Sequence, residues 1–143
     1  MIGLWRNFSN HEKTDLMLGM LDNDVRSLKM SLAQLQGNIN SNKSTISKLD
    51  EVEFQVFSQG GEDGIIQYLI SKLNLPNKTF VEFGVENYRE SNTRYLFMKN
   101  QWSGFVIDGS PENVRYLEHD IGGLGELHAT SAFITRENIN DLS

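Results

Sequence analysis

At 143 residues, 38% of them hydrophobic, the chain has the length and apolar content of one small domain with a modest core. Its 19 acidic and 13 basic residues leave a formal net charge of −6 with no basic block, which argues against a nucleic-acid footprint. There is no cysteine, which excludes disulfide frameworks and thiolate metal sites, and His11, His119 and His128 lack ligand-like spacing, so no metal is expected.

Residues 1–8 read as a tail. The opening MIGLWRNFSN lacks the apolar core of a signal peptide, and no run approaches the about 20 apolar residues of a membrane span, so a cytoplasmic chain without membrane contact is expected. Ser9-Asn10-His11-Glu12 has the form of a capping box and predicts a helix start. Apolar residues then recur in alternating steps of three and four. Leu18, Val25, Leu32, Ile39 and Ile46 take position a of a heptad, and Leu21, Leu28, Leu35, Asn42 and Leu49 take position d.

This seam suits a parallel two-stranded coiled coil over residues 9–50, and so a homo-oligomer through 18–49. Asp24 at g and Lys29 at the following e are placed to pair across it. Gly37 falls on the f position, expected to be exposed, and the polar run from Gly37 to Lys48 reads as a hinge. The alternative is one amphipathic helix folded back on the globular part, which normally needs a wider apolar stripe.

From Phe54 onward the pattern alternates. Glu62 and Asp63 open a helix through Ile65, Ile66, Leu69, Ile70 and Leu73, where acids favour the helix dipole. Thr79 to Gly84 reads as a nearly all-apolar strand, and Ser91-Asn92-Thr93 as the cap of a helix running to Asn100. Gly104 to Asp108 is the second strand. Ser110-Pro111 starts a helix through Val114 and Leu117, the Gly122 to Gly125 turn follows, and a third strand lies within Leu127 to Phe133. Thr135 caps a further helix. This order predicts an α/β fold with a parallel sheet of about three strands.

Two successive strands end in an acid, Glu82 and Asp108, about one βαβ unit apart, and Gly84 follows the first. An acid at the second strand's tip can accept the ribose hydroxyls of a nucleotide-like cofactor, and a glycine lets backbone approach it. The plainer reading keeps Glu82 as a solvated strand end and Asp108 as the start of an Asp-Gly-Ser-Pro turn.

The segments FSQGGEDGI (Phe57 to Ile65), FVEFGVENYRESNT (Phe80 to Thr93), FVIDGSPENVRYL (Phe105 to Leu117) and FITRENIN (Phe133 to Asn140) resemble the FkbM-like branch of class I S-adenosylmethionine-dependent methyltransferases. The resemblance covers residues 54–143 and implies a Rossmann-like domain with S-adenosylmethionine as cofactor. It implies that the loop Gly84, Val85, Glu86, Asn87 and Tyr88 wraps the methionine part, with Glu82 near its amino group. Asp108, with Gly109 beside it, would hold the ribose, and Ser131 and Ala132 would flank the adenine. The second glycine common in that loop is absent, and so are the later strands and the acidic segment that helps place the acceptor, so this domain is expected to be truncated at its C-terminal side. Gln59, Glu62 and Asp63 are the nearest candidates for a base, against a plain helix-dipole role for the two acids.

The leading expectation is therefore the cofactor-binding half of a methyltransferase acting on a hydroxyl of a glycan or small molecule, inactive as this chain alone. A nicotinamide-dependent oxidoreductase would want G-x-G-x-x-G after the first strand, which GVENYRE does not supply. The third reading is a non-catalytic coiled-coil interaction protein carrying a degenerate α/β domain.

Overall fold

The computed structural model describes residues 9–121 and 123–138. Helix α1 spans Asn10–Ser41 and starts at the expected capping box, with the Ser9 hydroxyl accepting from the Glu12 amide and the Glu12 carboxylate accepting from the Ser9 amide. It ends at Ser41, so Ile46 and Leu49 lie beyond it and the helical seam closes at Ile39. Side chains bond to backbone carbonyls around this helix end. The Asn40 side chain donates to the Val52 carbonyl at 3.0 Å, Lys43 donates to that of Glu51, and Lys72 donates to that of Ser41 at 2.8 Å. A short 3-10 turn, Leu49–Val52, leads into the α/β part.

Helix α2, Glu62–Lys72, is followed by β1 (Thr79–Phe83), α3 (Arg94–Asn100), β2 (Ser103–Asp108), α4 (Pro111–Ile121) and β3 (Leu127–Ser131). The strands form one parallel sheet in the order β1-β2-β3, with Phe80 opposite Gly104, Glu82 opposite Val106 and Asp108 opposite Ser131. Every crossover carries a helix, as parallel pairing requires. The α/β class and the three parallel strands are as the alternating pattern predicts.

Phe80, Val106 and Ala129 share one sheet face, and the main core forms there against Ile66 and Ile70 of α2, Leu96 and Phe97 of α3, and Leu117 and Ile121 of α4. All three helices thus cover a single face. The opposite face carries Val81 and Phe83, 59% and 56% exposed. Phe80 lies over Gly104, where a Cβ would stand 2.1 Å from its ring, so the aromatic fills the space the glycine leaves.

A second core cluster joins α1 to the body, with Ala33, Phe57 and Tyr95 buried and Met30 and Phe54 packed beside them. Gly37 is half-buried beside Phe54, not exposed as its heptad position suggests. The α2 start is locked by Asp63. Its carboxylate is fully buried and accepts from the amides of Val56, Phe57 and Ser58 at 2.7–3.0 Å, while the Ser58 hydroxyl accepts from the Asp63 amide. Thr135 accepts from the amides of Glu137 and Asn138, as a helix cap does; the rest of that expected helix, Gly122 and the 1–8 tail lie outside the described residues.

Candidate functional site

The parallel register brings the carboxyl ends of β1 and β2 side by side, and the loops leaving them meet. After β1 the chain turns through left-handed backbone at Gly84 (φ 65°), Glu86 (φ 49°) and Tyr88 (φ 62°). Only the first of these is glycine, so Glu86 and Tyr88 hold conformations that cost of order 1 kcal/mol each. Two contacts hold them. The Tyr88 side chain is fully buried with its hydroxyl 3.0 Å from the Thr93 hydroxyl, and the Glu86 amide donates to Asp108 Oδ2 at 2.8 Å. At Gly84 itself a Cβ would meet nothing within 4 Å, so the backbone there faces open space.

Asp108 is buried and anchors both loops. Its Oδ1 accepts from the Ser110 amide at 2.9 Å and from the Asn113 side chain at 3.0 Å, in addition to the Glu86 bond on Oδ2. Burial pushes this carboxyl up, but the Ser110 amide, the Asn113 side chain and the Glu86 amide outweigh it and hold the group below its ordinary range. A carboxylate offers about four acceptor positions, so one position on Oδ2 remains for a ligand hydroxyl.

Glu82 is used differently. Its carboxylate accepts from the amides of Asn92 and Thr93 at 3.0 Å and from the hydroxyls of Ser91 and Thr93. It therefore caps α3 from a distance, and Thr93, the expected capping residue, makes no side-chain bond to that helix start. Glu82 thus stands beside the loop already supplied with four internal donors.

Two clefts flank this junction. One, of about 490 Å³, is lined by Glu82, Gly84, Val85, Glu86 and Asn87 together with Glu62, Gln59, Arg89 and Glu90, and is mostly polar and acidic. The other, of about 520 Å³, is lined by Asp108, Gly109, Ser110 and Ala132 with Ile107, Phe133 and Ile134, and is mostly apolar. Phe83 and Gly84 border both. Of the residues singled out from the sequence, the structure brings all but Asp63, Tyr88 and Ser131 to one of these clefts, Asp63 and Tyr88 being buried in the interior. Ser131 pairs with Asp108 in the sheet, is exposed and lines neither.

Asp63, one of the candidate bases, is spent on three amides in the interior. Glu62 does reach the polar cleft, where its own amide and that of Gly60 hold its carboxyl below the ordinary range. Three contributors escaped the sequence reading. Arg89 lines the polar cleft while donating to the Tyr116 hydroxyl, with its guanidinium 5.5 Å from that ring. Asn113 holds Asp108 across the first turn of α4. Phe133, 78% exposed, lies so close over Gly109 that a Cβ there would stand 2.5 Å from its ring. For Phe133 the only sequence signal is its place in FITREN, just after β3.

Chemically, the junction offers one acceptor on a charged carboxylate, exposed backbone on a left-handed loop, an acidic basin on one side and an apolar slot on the other. Among the described residues no group of three or more His, Asp or Glu is placed to hold a metal. No described helix is long and apolar enough to cross a membrane. Compared with known proteins, the chain matches no family model, no curated protein and no solved structure.

Proposed function

We propose that the chain is the cofactor-binding half of an S-adenosylmethionine-dependent methyltransferase of the FkbM-like kind, its three strands forming part of a Rossmann-like sheet. The observation that carries this reading is the 2.8 Å bond from the Glu86 amide to Asp108. It ties a left-handed loop to the acidic tip of the neighbouring parallel strand, between an acidic cleft and an apolar one. A ligand with a cationic amino-acid end, a ribose and a flat base has the same order of polarity.

The donor set fits such a ligand. The free position on Asp108 takes a ribose hydroxyl, and the backbone from Gly84 to Asn87 faces the methionine part. The acids of the polar cleft, Glu82 and Glu86 among them, offset the ammonium and sulfonium charges, while Gly109, Ala132 and Phe133 lie against the base. When bound, the cofactor supplies an electrophilic methyl group, and the chain's contribution is to hold it in line with an acceptor hydroxyl of a glycan or small molecule. Glu62, one of the acids lining the polar cleft, is the candidate to take the hydroxyl's proton.

A second reading, a non-catalytic interaction protein, is favoured by one fact: Glu82 and most of Asp108 are already satisfied by internal donors. Isothermal titration separates the possibilities. Binding of adenosylhomocysteine and adenosylmethionine with none of NAD supports the proposal, a preference for NAD supports an oxidoreductase, and silence with all three supports the interaction protein.

A further inference from the structure

Helix α1 has two faces of different character. The one turned to the body is made of small and medium residues at heptad positions b and f. Ala33 and Asn40 are buried there, with Gly37 against Phe54. At 100° per residue, b and f lie on the far side of the helix from a and d. The a and d side chains from Leu18 to Ile39 belong to neither core cluster and each is between 49% and 66% exposed, Val25, the least exposed, bordering a cleft with Gln55 and Glu90 of the body. An unbroken apolar seam of this length is not a solvent surface.

We propose that a second copy of this chain covers the seam, forming a parallel, in-register, two-stranded coil through Leu18 to Ile39. Charge complementarity selects this occupant and this direction. In a parallel pair a g residue faces the following e residue of the other helix, so Asp24 of each copy meets Lys29 of the other, twice by symmetry. An antiparallel pair sets g against g and e against e and loses both contacts. Neither residue makes an ion pair within the chain among the described residues, where the bridge present is Arg26 to Asp22. Two of the four a residues, Val25 and Ile39, are β-branched and every d residue is leucine, a pattern that leans toward two strands.

The body supports the coil without joining it. Anchored through Ala33 and Asn40, α1 is already helical in the single chain, so association does not have to pay for forming it. Because the bodies attach on the b and f side, they stand outside the coil. The inference is independent of the methyltransferase reading.

Sedimentation equilibrium on the whole chain tests it. The expected result is a dimer that Leu28→Asp converts to a monomer with an unchanged far-ultraviolet circular dichroism spectrum, since Leu28 is 64% exposed in the single chain. Lys29→Asp should weaken association by about tenfold, and adding Asp24→Lys to it should restore the original affinity. The chain has no cysteine, so Leu21→Cys reports direction: an in-register parallel pair becomes disulfide-linked under mild oxidant. A monomer at the highest workable concentration, a dimer indifferent to Leu28→Asp, a charge swap that fails to rescue, or Leu21→Cys dimers that do not cross-link would overturn the proposal.

Discussion

Asp108 concentrates the site's chemistry in one side chain, because it joins two loops and retains one acceptor position. Asp108→Asn keeps the shape while removing the charge, and should weaken adenosylhomocysteine binding by about 2 kcal/mol in a titration of folded protein. The same substitution has a pH signature. The folded carboxyl is held below its ordinary value, so its contribution to stability is fully present above the unfolded value of about 3.9 and is lost as pH falls through the folded one. The stability gap between the original and Asp108→Asn should therefore be constant from neutral pH to about pH 5 and close on further acidification, as followed by chemical denaturation. Glu86 makes the complementary case. Its left-handed backbone suits glycine, and its exposed side chain makes no hydrogen bond that the fold needs. Glu86→Gly should leave stability within about 0.5 kcal/mol of the original, where a glycine at an ordinary position costs about 1 kcal/mol, and a larger loss would show that the side chain matters.

At the scale of elements, two glycines in helices should respond oppositely to alanine. A Cβ at Gly37 would stand 3.7 Å from Phe54, an ordinary contact, so Gly37→Ala should stabilise the protein by about 0.5–1 kcal/mol through helix propensity. A Cβ at Gly64 would stand 2.3 Å from the Val52 carbonyl oxygen and the Phe54 amide, where backbone passes directly over α2. Gly64→Ala should cost about 3 kcal/mol or prevent α2 from docking, and thermal melts of the two variants would show the contrast. The start of α1 was legible because its capping box is contained in four consecutive residues. The cap position of α3, Thr93, was legible too, but the group that holds it was not, because Glu82 reaches it from another element and no local pattern records that. The docking face of α1 was hidden for a related reason: periodicity is read from large apolar residues, and this face sets Met30 alone among alanine, glycine and asparagine. The large residues instead mark the side that the body leaves bare.

For the whole molecule, the alternating pattern led directly to a parallel α/β sheet, since apolar strand runs separated by capped helices admit few other arrangements. The positions of Gly84 and Asp108 were legible too, as strand-end residues. Their bond through Glu86, and the division into an acidic and an apolar cleft, arise only once β1 and β2 are paired in register. The proposed function requires this junction to receive an adenosyl ligand. Its most direct test is to titrate adenosylhomocysteine into isotope-labelled protein while following backbone amides by two-dimensional NMR. The largest shifts are expected at Gly84, Val85, Glu86, Asn87, Gly109 and Ala132, at the two clefts; unchanged spectra, or shifts confined to the groove between α1 and α2, would rule out this placement of the ligand.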